Sequence, residues 1–218
     1  HDLLSTFMSA QYRNVNGQRK WNNDEVSGLL IALLMAGQHT SSTTSSWFGF
    51  FMCQNGDLQD KLLAEQVTVR GPVGKPVDTI SLEDLDQMPL LHACVRETLR
   101  LRPPIMQLMR KVRKELKVTS NGKEYIIPAG NQICVSPSAN GRNPSEWENA
   151  GDFDPQRFID KDGKVTKGEQ LDPEGKPNLH KWVPFGAGRH RCIGFEFAQI
   201  QIRCVWATVL RKFSLELP

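Results

Sequence analysis

The sequence predicts a mainly α-helical fold with a small β-sheet, and three observations lead to that prediction. An apolar run with helical character extends over residues 23–53, about 30 residues in all. Strand-like alternation follows over residues 105–135, with Asn121-Gly122 as a hairpin turn signal. Residues 137–183 are rich in Pro, Gly, Asn and Asp and predict a long loop, and a last helix is expected over residues 193–211.

The first elements are predicted from patterning and capping. Residues 1–12 predict an amphipathic helix, and a polar loop is expected over residues 13–20. Asn23 is expected to cap the long helix, with Asp24 and Glu25 in its first turn, where negative charge suits the helix dipole. Because this helix is apolar on all sides, we expect it to thread the core of a domain.

Shorter helices are expected next. Residues 58–69 predict an amphipathic helix, and residues 71–76 predict a Gly/Pro loop. Ser81 and Asp84 have the spacing that caps a short helix. Residues 90–101 predict a further helix, which the two prolines that follow would end.

Charge and hydropathy exclude some classes of function. The chain has 27 Lys and Arg against 24 Asp and Glu, a net charge of +3, which is too weak to argue for a nucleic-acid partner. Basic residues crowd at 96–117 and 181–191, which predicts a solvated face, with a docking surface for an acidic partner or an anion site as the alternatives. The most apolar stretch, residues 26–37, is shorter than the roughly 20 residues of a membrane span.

The cysteines argue against a disulfide framework. There are five of them, an odd number, and no Cys-x-x-Cys pair, so neither disulfides nor a structural zinc site is expected, and a reducing compartment fits better. Four stand in apolar runs and are expected in the core: Cys53, Cys94, Cys134 and Cys204. Cys192 stands in a different setting.

Cys192 lies in the string FGAGRHRCIG at residues 185–194. Three glycines permit backbone turns that other residues resist, and the cysteine falls just before a predicted helix N-terminus. The helix dipole, free backbone N–H groups and the preceding basic residues all favour a thiolate there. A thiolate is an axial ligand that suits haem iron. The alternative is a buried structural cysteine in a Gly-rich turn.

The string resembles the cysteine-ligand loop of cytochromes P450, and two further motifs of that family stand in the expected order. ETLR at residues 97–100 resembles the family's Glu-x-x-Arg pair, and DPQRF at residues 154–158 resembles its Pro-Glu-Arg-Phe segment, with Gln156 in place of Glu. The resemblance implies the cytochrome P450 fold in part, with residues 1–218 forming the C-terminal part of one domain. The N-terminal half and the final hairpin of that domain are expected to be absent.

Glu97 and Arg100 are one helical turn apart and can form an ion pair. Arg157 is expected to close a three-member network that pins the long loop beneath the haem, a scaffold role. The alternative is a surface ion pair of about 0–1 kcal/mol.

Two segments are similar to sterol 14α-demethylases in particular. AGQHT at residues 36–40 resembles the family's distal haem segment, with His39 in place of the usual acid. LRPPIMQLMR at residues 101–110 resembles the demethylase stretch that lines the cavity and reaches the haem edge.

The resemblance implies a set of site residues. Thr40 and His39 would serve oxygen activation and proton delivery. The remaining residues are Cys192 as iron ligand; Arg110, His190, Phe185, Gly186 and Gly194 around haem b; Met35, Ala36, Thr40, Ile105, Leu108 and Met109 around the substrate; and Glu97, Arg100 and Arg157 in the scaffold.

The implied activity is removal of the 14α-methyl group of lanosterol-type sterols by three successive oxidations. Electrons would come from NADPH through a cytochrome P450 reductase, and Lys181, Arg189 and Arg191 are expected contacts for it. The implied location is the cytosolic face of the endoplasmic reticulum membrane, through an anchor outside this chain. Three alternatives stay open: a cytochrome P450 hydroxylase of another hydrophobic substrate, a truncated non-catalytic product, and a helical interaction module with chance motifs.

Overall fold

The computed structural model describes residues 2–11, 19–73, 80–120, 122–166, 170–171, 177–178 and 181–217. It divides into two compact units, His1–Ser42 and Thr43–Pro218. The α-helices are α1 (Leu3–Ser9), α2 (Asn23–Gln54), α3 (Gly56–Arg70), α4 (Leu82–Asp86), α5 (Pro89–Leu101), α6 (Pro137–Asn140) and α7 (Phe195–Lys212). The mainly α-helical prediction is confirmed, and each predicted helix has a counterpart within a few residues of its expected bounds.

The first unit contains α1 and the beginning of α2. Asn22, and not Asn23, caps α2: its side chain accepts the Glu25 N–H at 2.8 Å, and the Glu25 carboxylate accepts the Asn22 N–H at 2.9 Å. The expected cap was wrong by one residue because Asn23 already lies inside the helix. Most of the predicted loop over residues 13–20 lies outside the described residues.

The expectation that α2 threads the core of a domain stays a prediction for the part that belongs to the first unit, where several large apolar side chains are exposed. Leu34 is 74% exposed, Met35 is 62% exposed and Ile31 is 58% exposed. Hydropathy alone therefore does not determine which residues of α2 are buried in this chain.

The second unit has a single dominant core built on α5. The last turns of α2 contribute Phe48, Phe51 and Met52. Met88, between α4 and α5, and residues of α3, α4, α5 and α7 supply the rest of the cluster. Gly49 allows α2 to approach α7, since a Cβ there would lie 2.7 Å from the Trp206 ring. Ser81 and Asp84 form the predicted capping box at the start of α4. The first residues of the predicted 71–76 loop have no regular structure, and the others lie outside the described residues.

The strands form three separate two-stranded antiparallel ladders in the described part of the chain, where the sequence predicted one small sheet. They pair β1 (Leu108–Lys111) with β4 (Gln132–Val135), β2 (Leu116–Ser120) with β3 (Lys123–Ile127), and β5 (Gln170–Leu171) with β6 (Pro177–Asn178). The hairpin between β2 and β3 is confirmed, with Gly122 at φ 72°, while Asn121 lies outside the described residues. Short alternating segments predict strands but not which strands share a ladder.

The segment after β4 is mostly irregular, as predicted. Its described residues include α6 and a 3₁₀ turn, Pro155–Phe158, which the Asp154 side chain caps. The five cysteines are all free thiols. Cys94 is buried, but Cys134 is exposed on a strand, so its predicted place in the core is wrong. None of the helices in the described residues combines the length and hydropathy of a membrane span.

Candidate functional site

The loop before α7 is a compact backbone structure with Cys192 at its end. Gly186 and Gly188 adopt φ values of 71° and 65°, the left-handed region that favours glycine. A 3₁₀ turn follows at Gly188–His190. The Cys192 N–H donates to the Phe185 carbonyl at 2.9 Å, which closes the loop and fixes the direction in which the cysteine leaves it.

The Cys192 thiol is exposed and stands beside the start of α7. Gly194 is the N-cap and provides no side-chain cap, so the first N–H groups of α7 are left for another acceptor. A Cβ on Gly194 would lie 3.8 Å from the Cys192 sulfur. Ile193 and Phe197 present apolar side chains nearby in sequence, 92% and 70% exposed. An accessible sulfur at a helix N-terminus with apolar neighbours is suited to ligate a metal held by an apolar group.

Aromatic side chains pack against the loop before α7. The Phe185 ring lies edge-on to Phe195 with a centroid distance of 4.8 Å. Trp182 packs against Phe185 at 6.1 Å, and the Arg191 guanidinium lies over Phe195 at 4.3 Å. The loop is therefore joined on one side to α7 and on the other to the segment that leads into it.

Glu97 and Arg100 form a buried, bidentate ion pair on α5. Arg100 Nε donates to Glu97 Oε2 at 2.6 Å and Arg100 Nη2 donates to Glu97 Oε1 at 2.7 Å, with both side chains fully buried. Arg157 Nε lies 3.4 Å from Glu97 Oε1. The structure thus brings the three residues into one network, and their burial excludes the alternative of a surface pair.

The network also holds the backbone of the long loop. Arg100 donates to the carbonyls of Gly141, Ala150 and Asp152, the last two at 2.8 Å, so its planar fork uses all of its N–H donors. Glu97 Oε1 accepts the Asp154 N–H at 2.8 Å. Every buried polar atom of this pair has a partner, and this is the condition under which a buried ion pair is tolerated.

The basic cluster that begins at residue 96 is not a solvated face at its start. Arg96 and Arg100 are 2% and 1% exposed. Burial lowers the pKa of Arg96 to about 10, and repulsion by Arg191 contributes. Sequence reasoning missed this buried cation because neighbouring basic residues usually share the surface of a helix.

The remaining predicted residues of the second unit are more exposed. Arg110 is exposed on β1, where its Nη1 donates to the Met109 carbonyl at 2.9 Å, and His190 is exposed in the 3₁₀ turn. Ile105 and Met109 are 47% and 51% exposed, and Leu108 is half-buried. These side chains are therefore at least partly accessible to solvent.

In the first unit the predicted residues share one stretch of α2. The Thr40 hydroxyl donates to the Ala36 carbonyl at 2.8 Å, one turn back along the helix. His39, Met35 and Ala36 are exposed. A threonine hydroxyl bonded to its own helix can exchange that bond for one to a ligand at small cost.

Comparisons of the chain with family models and with known proteins agree on one protein family. The family model described as "Cytochrome P450" matches residues 1–218. The chain is 44% identical to lanosterol 14-alpha demethylase of Bos taurus over 216 residues, which is 99% of this chain and 39% of that protein. It is 37% identical to obtusifoliol 14-alpha demethylase of Sorghum bicolor, over 99% of this chain and 41% of that protein.

A third relative, the sterol 14-demethylase of Arabidopsis thaliana, is 36% identical over 100% of this chain and 42% of its own length. The chain spans about two fifths of the length of these relatives. The family match extends over the closed cysteine loop, the buried Glu97–Arg100 pair and the Arg157 contact alike, and on this evidence the chain belongs to the cytochrome P450 family.

Proposed function

We propose that the protein carrying this chain is a haem-thiolate monooxygenase that removes the 14α-methyl group of lanosterol-type sterols by three successive oxidations. The observation that carries the proposal is the exposed Cys192 thiol at the start of α7, in a loop closed by its own N–H. The similarity to three demethylases supports the choice of reaction and substrate class.

The residues present fit haem. The donor is a single accessible sulfur beside uncapped helix N–H groups, which favour the thiolate form, and the exposed Ile193 and Phe197 side chains suit an apolar macrocycle. Phe185, Gly186 and Gly194 shape the loop that would face the ring. Bound haem with a thiolate ligand would supply the oxidising power to insert oxygen into an unactivated C–H bond.

Arg110 and His190 are proposed to hold the haem propionates. Both side chains are exposed, and the Arg110 guanidinium would give up its hydrogen bond to the carbonyl of the preceding residue, Met109. A guanidinium binds a carboxylate by paired, charge-assisted hydrogen bonds. These two residues would therefore orient the ring about the Cys192 sulfur.

The α2 residues are proposed to act in oxygen activation and substrate contact. Thr40 would donate its hydroxyl proton toward the reacting oxygen, and His39 would pass protons to that position from water. Met35 and Ala36 on α2, with Ile105, Leu108 and Met109 before and within β1, would contact the flat apolar sterol. Their exposure in this chain is compatible with that use.

Glu97, Arg100 and Arg157 are proposed as the scaffold that keeps the long loop in place beneath the ring, with no part in the chemistry. Electrons are proposed to come from NADPH through a reductase that contacts Lys181, Arg189 and Arg191. The proposed location is the cytosolic face of the endoplasmic reticulum membrane.

Binding of sterols tests the substrate class. The protein carrying this chain is expressed with haem and titrated with lanosterol and, as a matched control, with the same sterol lacking the 14α-methyl group. We expect a substrate-type spectral shift with both sterols. When NADPH, a cytochrome P450 reductase and oxygen are then supplied, we expect formate release from lanosterol and none from the control sterol. A protein that binds haem but gives no shift with any 14α-methyl sterol would overturn the substrate assignment and favour a hydroxylase of another hydrophobic compound.

A further inference from the structure

Arg96 on α5 is a buried cation enclosed by aromatic rings. Its guanidinium carbon lies 4.0 Å from the centroid of the Trp182 ring and 5.1 Å from that of Phe158. Its Nε and Nη2 atoms are buried and have no hydrogen-bond partner among the described residues. A buried guanidinium that lacks these hydrogen bonds is compensated chiefly by the rings, because cation–π attraction is strongest where water is excluded.

Trp182 is held by Arg96 in two ways. The π face of the indole meets the guanidinium, and the indole N–H donates to the Arg96 carbonyl at 3.2 Å. Phe158 packs edge-on against the same indole with a centroid distance of 6.0 Å. Arg96 therefore contacts both the face and the N–H of the Trp182 ring, which restrains the position and the rotation of the ring.

The Trp182 ring is connected to the cysteine loop. It packs against Phe185 at a centroid distance of 6.1 Å, and the Phe185 carbonyl accepts the Cys192 N–H at 2.9 Å. Phe185 also meets Phe195, the first residue of α7, at 4.8 Å. A chain of contacts thus runs from Arg96 through Trp182 and Phe185 to the backbone of Cys192.

We propose that Arg96 is a positioning residue for Cys192, acting through Trp182 and Phe185 to hold the sulfur in the orientation that keeps it bound as a thiolate. The inference rests on the proposed function, since it takes Cys192 as the haem ligand. It is separate from the Glu97–Arg100–Arg157 network, which holds the backbone between Gly141 and Asp154 and not the cysteine loop itself.

The test uses the haem-loaded protein carrying this chain and the variants Arg96→Gln, Arg96→Lys, Trp182→Leu and Trp182→Phe. The carbon-monoxide difference spectrum of the reduced protein gives the fraction with a thiolate-type Soret band. Gentle warming gives the rate at which that band converts to the protonated-thiol type, and thermal unfolding is recorded beside it. Arg203→Gln is the matched control, because Arg203 is also a buried arginine but donates to the Gln199 and Leu85 carbonyls.

We expect Arg96→Gln and Trp182→Leu to convert about tenfold faster than the wild type, the change that about 1.4 kcal/mol produces. Arg96→Lys keeps a cation over the ring and Trp182→Phe keeps a ring under the cation, so both should convert at close to the wild-type rate. Arg203→Gln should lower the unfolding temperature without changing the conversion rate measured well below it.

Two results would overturn the proposal alone: an unchanged conversion rate in Arg96→Gln, or equal acceleration in Arg96→Gln, Arg96→Lys and Arg203→Gln. The second result would mean that any loss of stability loosens the sulfur. A wild-type protein without a thiolate-type band would instead overturn the proposed function, and the positioning role with it.

Discussion

Arg100 shows how much one side chain organises in this chain. It pairs with Glu97 and donates to three backbone carbonyls that lie 41 to 52 residues further along. The i to i+3 spacing predicts the pair, because helix geometry places such residues together. The carbonyl contacts had no sequence signal, since an irregular loop carries no periodicity from which its path can be inferred.

Gly141 is the point where that loop comes closest to α5. A Cβ on Gly141 would clash with the Arg100 carbonyl, which is backbone and cannot rotate away. We expect Gly141→Ala to reduce the free energy of unfolding by about 1–3 kcal/mol, measured by urea denaturation. Gly151→Ala is the matched control in the same loop, where a Cβ meets nothing within 4 Å. Equal stability of the two variants would contradict the proposed close approach.

His92 makes the stability of the fold depend on pH. Burial lowers the pKa of His92 from 6.5 to about 3, and repulsion by Arg203 and Arg96 adds to the effect. Between pH 6.5 and about pH 3, His92 is protonated in the unfolded chain and neutral in the folded chain. The free energy of unfolding therefore decreases as the pH is lowered through this range. The expected loss is up to about 1.4 kcal/mol per pH unit.

The measurement is urea denaturation of the wild type and His92→Gln at several values between pH 7 and pH 4. Glutamine has no proton to gain, so the variant should lose less stability per pH unit than the wild type over this range. Identical slopes for the two proteins would show that His92 does not resist protonation in the fold.

The N-terminus of α5 is capped from another helix. Met88 provides no side-chain cap, and Glu65 of α3 instead accepts the N–H groups of Leu90 at 2.6 Å and Leu91 at 3.0 Å. A carboxylate at this position also suits the positive end of the helix dipole. Sequence motifs for helix caps involve residues next to the first turn of the helix. Glu65 lies 25 residues before Leu90, so no such motif indicates it as the cap.

Glu65→Gln should lower the free energy of unfolding by about 1–2 kcal/mol, because an amide offers one acceptor where the carboxylate offers two. Hydrogen exchange at Leu90 and Leu91 should speed up locally. Glu148→Gln, at an exposed residue, is the control and should leave both quantities unchanged. Unchanged exchange in Glu65→Gln would mean that the cap is not what protects these amides.

Helix positions were predictable wherever capping and periodicity agreed, as in α4 with its Ser81–Asp84 box. The sequence predicted where the strands lie but not which strands pair, since β1 pairs with β4 and the β2–β3 hairpin lies between them in the chain. The position of Cys192 before α7 was predictable from three glycines and a following apolar helix. The supports of that loop were not, because Trp182, Phe158 and Arg96 are brought together only by the tertiary fold.

At the scale of the whole chain, the hydropathy pattern did not indicate which large apolar side chains are exposed. Leu34 and Met35 on α2, and Ile193 and Phe197 around the cysteine, are all more than half exposed. Predictions from hydropathy assume that a large apolar side chain is buried by packing. The described residues of this chain do not bury these four side chains. They include the side chains that the proposed function places against haem and sterol.

The carbon-monoxide difference spectrum of the reduced protein, recorded for the wild type and Cys192→Ser after expression with haem, tests the central claim most directly. We expect a red-shifted, thiolate-type Soret band in the wild type and its loss in Cys192→Ser, although four other cysteines remain in the variant. A thiolate-type band that survives in Cys192→Ser, or a wild type that binds haem only with a protonated-thiol-type band, would contradict the assignment of Cys192 as the iron ligand.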